Sequence, residues 1–138
     1  MKHTKISDIK MIDIPLIRDV RGNLGVLEGD TVPFDFKRVY YLFDVPTSVY
    51  RGAHSHKLQQ EFLIALSGSF DVVLDDGRDK KKYLLNSPKQ GLYIPPGIWR
   101  ELENFSSGSV CLVLSSDKFE EDDYIRDYND FKNNKKQV

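Results

Sequence analysis

Residues 61–74 read EFLIALSGSFDVVL, two apolar runs (61–66 and 69–74) on either side of Ser67-Gly68. Aliphatic and aromatic runs of this length favour a pleated, half-buried surface, and glycine supplies the turn conformation between them, so the stretch predicts a β-hairpin. A second turn signal, Asp75-Asp76-Gly77, closes it. The same grammar repeats outward. On the N-terminal side, 38–43 (RVYYLF) is aromatic and β-branched, and the runs 12–17 and 24–27 are separated by Asp19-Val20-Arg21-Gly22-Asn23, a turn. On the C-terminal side, 83–85, 92–94, 98–102 and 110–114 follow at similar spacing, with Gly or Pro at nearly every join. Many short strands punctuated in this way predict an all-β sandwich or barrel. The basic run at 78–82 reads as a solvated loop.

Only the C-terminus departs. Residues 117–132 are strongly charged, and Tyr124, Tyr128 and Phe131 fall at i, i+4 and i+7. That spacing predicts a short helix packed on the β-structure. Glu120-Glu121-Asp122-Asp123 precedes it, where acidic side chains complement the helix dipole. Residues 133–138 are expected to fray. No repeat, low-complexity block or linker interrupts the chain, so 1–138 reads as a single domain.

Composition bounds the function. The chain has 138 residues, 40% of them hydrophobic and 30% charged, which suits one globular domain. Its 20 Lys+Arg and 21 Asp+Glu leave a net charge of -1, so there is no global attraction to nucleic acid or to an anionic membrane. Any anionic ligand must be held by a local cluster of bases. No apolar run is long enough to span a membrane, and MKHTKISDIK has no signal-peptide core. The single cysteine, Cys111, lies in VCLVL and reads as a buried structural thiol. One cysteine allows no internal disulfide, and these features place the protein in the cytoplasm.

The chemistry concentrates in Arg51-Gly52-Ala53-His54-Ser55-His56-Lys57. On a strand, residues i and i+2 share a face, so both imidazoles enter one space. The spacing His54-x-His56-x4-Glu61-x6-Gly68 resembles the first motif of the cupin superfamily. The segment 95–104, PPGIWRELEN, resembles the second, Pro-x-Gly-x2-His-x3-Asn. The resemblance implies a double-stranded β-helix, or jelly roll, here with a short C-terminal helix. Arg100 stands where a metal cupin has its last histidine ligand. A guanidinium has no lone pair for a cation and its fixed charge opposes one, so no metal is expected.

Further segments narrow the resemblance: Arg21-Gly22-Asn23-Leu24, 33–41 (PFDFKRVYY), the His-x-His stretch, Gly91-Leu92-Tyr93-Ile94, Trp99-Arg100-Glu101 and 122–128 (DDYIRDY). Together they resemble the nucleotide-sugar 3,4-ketoisomerases, over roughly residues 12–131. The resemblance implies a dTDP-linked 4-keto-6-deoxy sugar as substrate, conversion to the 3-keto isomer through an enediol, and no cofactor. It implies His54 as principal base, His56 as its partner and Tyr40 as a proton donor. Arg21 and Arg51 become the leading pyrophosphate ligands, with Lys57 and Arg38 as further candidates. Arg100 is assigned to the sugar or enolate. The role of Glu61 and the C4 configuration of the product stay open. A homodimer is also implied, as is a place in the synthesis of a 3-amino-3,6-dideoxyhexose for a surface glycan such as lipopolysaccharide. A dTDP-sugar 3,5-epimerase, a metal-dependent cupin and a non-catalytic sugar-binding cupin remain alternative readings.

Overall fold

The structure is a computed structural model and describes residues 3–136. Two five-stranded antiparallel sheets face each other. One has the order β1 (Lys10–Asp13), β9 (Gln90–Ile94), β6 (Glu61–Ser67), β11 (Val110–Ser115), β4 (Arg38–Phe43). The other has the order β12 (Tyr124–Ile125), β5 (Arg51–His56), β10 (Trp99–Glu103), β7 (Phe70–Asp75), β8 (Lys80–Leu85). A small hairpin, β2 (Leu16–Ile17) with β3 (Leu24–Gly25), stands beside them. This is the jelly roll that the cupin resemblance implies.

The strand-turn-strand reading of 61–74 holds, but the predicted pairing does not. β6 pairs with β9 and β11, whereas β7 pairs with β8 and β10. The Ser67-Gly68 turn therefore carries the chain from one sheet to the other. Gly68 has φ +68, and a Cβ there would lie 2.5 Å from Ser106 Oγ, so the crossing requires glycine. The true hairpin is β7–β8, whose turn is tied by Asp76 Oδ1 accepting from the backbone N–H groups of Arg78 and Asp79.

Burial explains why β6 is a continuous apolar run and not an alternating one. Leu63 and Ala65 enter the core between the sheets with Val72, Leu74, Leu92 and Val113. Phe62 and Ile64 enter a second cluster on the outer face, covered by Ile14 and Val32 of the N-terminal segment. A strand covered on both faces has no polar side to show. Gly91 on β9 belongs to the same packing: a Cβ there would run into the Phe62 ring. Cys111 is fully buried in the core, as its apolar context predicts, and burial pushes its thiol pKa up.

Four expectations need correction. The run 12–17 is split, because Pro15 has no N–H for a ladder and separates β1 from β2. The basic run at 78–82 is solvated but is not all loop: Lys80, Lys81 and Lys82 open β8, the outermost strand of its sheet. Lysines on an edge discourage pairing with foreign strands. The helix, α1, spans Tyr128–Lys136, with Asp127 Oδ1 accepting from the backbone N–H of Asp130. Residues 133–136 are thus helical and not frayed, and 137–138 lie outside the described residues. Tyr124 is not on that helix. It pairs with His56 in β12, and residues 121–123 of the acidic quartet form the 3-10 turn before it. Tyr128 and Phe131 pack α1 against Trp99, as the i, i+3 part of the spacing predicts. Among the described residues no helix is long and apolar enough to cross a membrane.

Candidate active site

The site lies between the sheets and is built mainly on β5. Gly52 (φ +90) and Ala53 (φ +48) are in the left-handed region, and the ladder to β10 shifts so that Ala53 is extra. This is a β-bulge, a device that re-aims side chains next to active sites. A Cβ on Gly52 would lie 3.1 Å from the Arg100 carbonyl oxygen, so the bulge packs tightly on β10. Beyond the bulge the strand is regular, and His54 and His56 share a face. Their Nε2 atoms are 3.2 Å apart and the rings meet edge to face at 87°. His54 Nδ1 lies 2.8 Å from the Gly52 carbonyl oxygen, and His56 Nδ1 lies 3.0 Å from Asp123 Oδ2. His56 is fully buried behind His54, which lines the cavity.

Glu61, the first residue of β6, is 1% exposed and acts as a hub. Its Oε1 accepts from Arg100 Nη1 at 2.6 Å, and its Oε2 accepts from the Tyr40 hydroxyl at 2.8 Å and from Ser115 Oγ at 2.9 Å. Arg100 also donates to the Ile98 carbonyl at 3.0 Å. Arg38 donates to Gln59 Oε1 at 3.2 Å and lies 5.0 Å over the Tyr40 ring. These contacts place Glu61 inside the site, where it neutralises a buried guanidinium and holds the phenol.

The cavity measures about 460 Å³ and is lined by Arg38, Tyr40, Arg51, His54, Glu61, Arg100, Tyr124 and Arg126, among others. Four guanidinium groups against one carboxylate give it a positive excess, which suits an anionic ligand. Arg38 and Arg100 lie inside, whereas Arg51 and Arg126 are exposed at the rim. Two predicted ligands are not brought to it. Arg21 sits on the β2–β3 turn outside the sandwich, exposed and paired with Asp19 through Nη2–Oδ2 at 2.7 Å. Lys57 follows β5, is exposed and does not line the cavity.

Burial sets the protonation states. It lowers the pKa of His54 to about 4, helped by the Arg100 charge, and lowers that of His56 further. Burial, then the Glu61 carboxylate, pushes the Tyr40 phenol far up. The site therefore offers neutral imidazoles beside a protonated phenol.

His54, His56 and Glu61 could in principle hold a cation, since their ligand atoms lie within 4.8 Å of one another. The donor set does not fit one. Both Glu61 oxygens already accept hydrogen bonds, and the Arg100 guanidinium occupies the carboxylate at 2.6 Å.

Sequence reasoning missed three residues here: Asp123, Tyr124 and Arg126. The Tyr124 ring centroid lies 4.4 Å from that of His56 and 4.9 Å from that of His54, and Arg126 stacks 4.2 Å over Tyr124. Residues 123–126 (DYIR) read polar, aromatic, apolar, polar, with no two-residue period, and a strand as short as Tyr124–Ile125 leaves the helical spacing unopposed.

A jelly roll whose sheets enclose paired imidazoles, a phenol and buried guanidinium groups is a cupin of the kind found among sugar isomerases and epimerases. The family model described as FdtA: WxcM-like, C-terminal matches residues 7–136, and the chain belongs to that family. It is 45% identical over 124 residues to TDP-4-oxo-6-deoxy-alpha-D-glucose-3,4-oxoisomerase of Aneurinibacillus thermoaerophilus, covering 89% of each chain. The solved structure of QdtA, a sugar 3,4-ketoisomerase from Thermoanaerobacterium thermosaccharolyticum in complex with TDP, is 40% identical. It superposes with a TM-score of 0.93 over 96% of this chain and 98% of that one. WlaRB, the TDP-quinovose 3,4-ketoisomerase of Campylobacter jejuni, is 46% identical with a TM-score of 0.89, over 93% of this chain and 99% of that one.

Proposed function

We propose that the protein is a TDP-sugar 3,4-ketoisomerase. It takes dTDP-4-keto-6-deoxy-D-glucose to the 3-keto isomer through an enediol, without a metal or redox cofactor. The observation that carries this reading is the neutral imidazole pair at the wall of an arginine-lined cavity, 3.2 Å between the Nε2 atoms. The C4 ketone acidifies the hydrogen at C3. His54, on the cavity surface, removes that proton; the C–H electron pair forms the C3=C4 bond and the carbonyl pair moves to oxygen. Tyr40, held protonated by burial and by Glu61, turns its single O–H from the Glu61 carboxylate to the developing oxyanion. The C3 hydroxyl proton passes to the C4 oxygen, and a proton is delivered to C4 as the ketone forms at C3. Arg100 and Arg38 form the cationic inner wall around the sugar, and Arg51, with Arg126 at the same rim, holds the pyrophosphate. The 3-keto product suits a transaminase acting at C3.

The open edge of β4 supports a homodimer within this reading. Val39, Tyr41 and Phe43 face outward from that edge strand and are 52%, 60% and 59% exposed, a row of apolar side chains on an unpaired ladder.

The test is incubation of chelator-treated protein with the 4-keto sugar in D2O, followed by NMR. Appearance of the 3-keto isomer with deuterium at C4 is expected, and the H4–H5 coupling reports the C4 configuration. Exchange at C3 and C5 without ketone migration, or activity only after a divalent metal is added, overturns the reading.

A pH profile follows from the same site. Burial disfavours the His54 cation, so the base stays neutral well below the usual imidazole range. The acid limb of kcat/KM is therefore expected near pH 4, where His54 gains its proton, with activity lost as pH falls through that value. A limb near the ordinary imidazole value of about 6.5 would show that burial does not control the base.

A further inference from the structure

All four ring nitrogens of the histidine pair face a defined partner, and the partners fix the protons. The Gly52 carbonyl only accepts, so His54 Nδ1 carries hydrogen and donates to it at 2.8 Å. The Asp123 carboxylate accepts in the same way from His56 Nδ1 at 3.0 Å. A neutral imidazole has one N–H, so both Nε2 atoms carry lone pairs, and the two atoms lie 3.2 Å apart.

We infer that Asp123 is a positioning residue of the isomerisation: by keeping the His56 proton on Nδ1 it turns the His56 Nε2 lone pair onto His54 Nε2, making the two imidazoles a single proton acceptor. This role rests on the proposed reaction. Two lone pairs at hydrogen-bond distance repel, and one arriving proton turns that contact into an N–H···N bond. The proton that leaves C3 lands on His54 Nε2 and is shared with His56 Nε2. The pair exchanges that proton with solvent before delivering one to C4, and the C3 hydroxyl proton passes to the C4 oxygen, so protons balance with no outside acid. Without Asp123, His56 is free to carry its hydrogen on Nε2 and donate it to His54 Nε2. That bond occupies the lone pair the base needs.

Asp123 is well held for the task. Its Oδ1 accepts from the Leu58 N–H at 2.7 Å, its Oδ2 from the Gln59 N–H at 3.1 Å, and its backbone oxygen from the Lys57 N–H at 2.9 Å. Asp123 is thus clamped by the three residues that follow His56, its carboxylate by two of them. Tyr124, its neighbour, packs on both rings.

The chain has three histidines, so 15N-histidine labelling gives a readable spectrum. Two-bond 1H–15N correlations on the native protein are expected to show His56 protonated at Nδ1 and bare at Nε2. In Asp123→Asn or Asp123→Ala, His56 is expected to shift toward the Nε2–H form, and kcat to fall on the order of 10²–10⁴-fold, with TDP affinity unchanged. A native His56 protonated at Nε2 overturns the role even if neither variant folds. So does a variant whose spectrum shifts while kcat stays native. A native protein that leaves the 4-keto sugar unchanged overturns the reaction itself, a result read separately from the tautomer.

Discussion

His54→Asn is expected to lower kcat for the 4-keto sugar by about 10³-fold or more while leaving TDP binding intact. The ring is the one imidazole at the cavity surface, and its partner His56 is fully buried behind it. General-base catalysis alone accounts for roughly 10²–10⁴-fold. Loss of His54 also removes one half of the imidazole pair, which places the effect toward the upper end. Asparagine keeps a polar side chain facing the Gly52 carbonyl, and the arginines proposed to hold the pyrophosphate stay in place. Single-turnover exchange at C3 in D2O, together with calorimetric titration of TDP, separates the two quantities. Exchange within about tenfold of native would assign the base elsewhere.

Glu61→Ala should have the largest effect on stability. The carboxylate is 1% exposed and is the buried counter-charge for Arg100, itself 1% exposed. Removing one partner of a buried ion pair leaves an uncompensated charge, at a cost of about 3–5 kcal/mol. Tyr40 and Ser115 lose their acceptor as well. For a chain of this size the melting temperature is expected to drop by on the order of 10 °C or more. Glu61→Gln keeps the shape and one acceptor, so the difference between the two variants isolates the cavity and the lost hydrogen bonds from the lost charge. Denaturant unfolding that differs from native by less than about 1 kcal/mol would show that Arg100 finds another partner.

Local chemistry was the legible part of this sequence. The strands at 38–43, 61–66 and 110–114 announce themselves by composition, and His54 and His56 by their two-residue spacing. Partner choice was not legible. Ser67-Gly68 is a turn in any context, but whether the next strand folds back beside β6 or crosses to the facing sheet depends on which surfaces remain to be covered. β6 is covered on both faces and already has a neighbour on each side. The C-terminal segment failed for a related reason. Tyr124, Tyr128 and Phe131 satisfy a helical period, yet Tyr124 is claimed by the β5 edge and the imidazoles. Arg21 and Lys57 do not line this cavity, although the Lys57 motif holds residues that do: neighbours in sequence need not face the same volume.

The adjacent tyrosines of β4 make the edge strand ambiguous in a way that only the site resolves. Arg38, Tyr40 and Leu42 face inward, and Val39, Tyr41 and Phe43 face outward. The outward set is the more apolar of the two, so greasiness alone would prefer the strand slid along by a single residue, with Tyr41 in the place of Tyr40. A slip of one position exchanges the faces completely. What opposes it is the grip of Glu61 on the Tyr40 hydroxyl and of Gln59 on Arg38. The polar cluster at the centre of the barrel therefore acts as a registration pin during assembly: the chain finds its correct alignment by forming the groups that line its cavity.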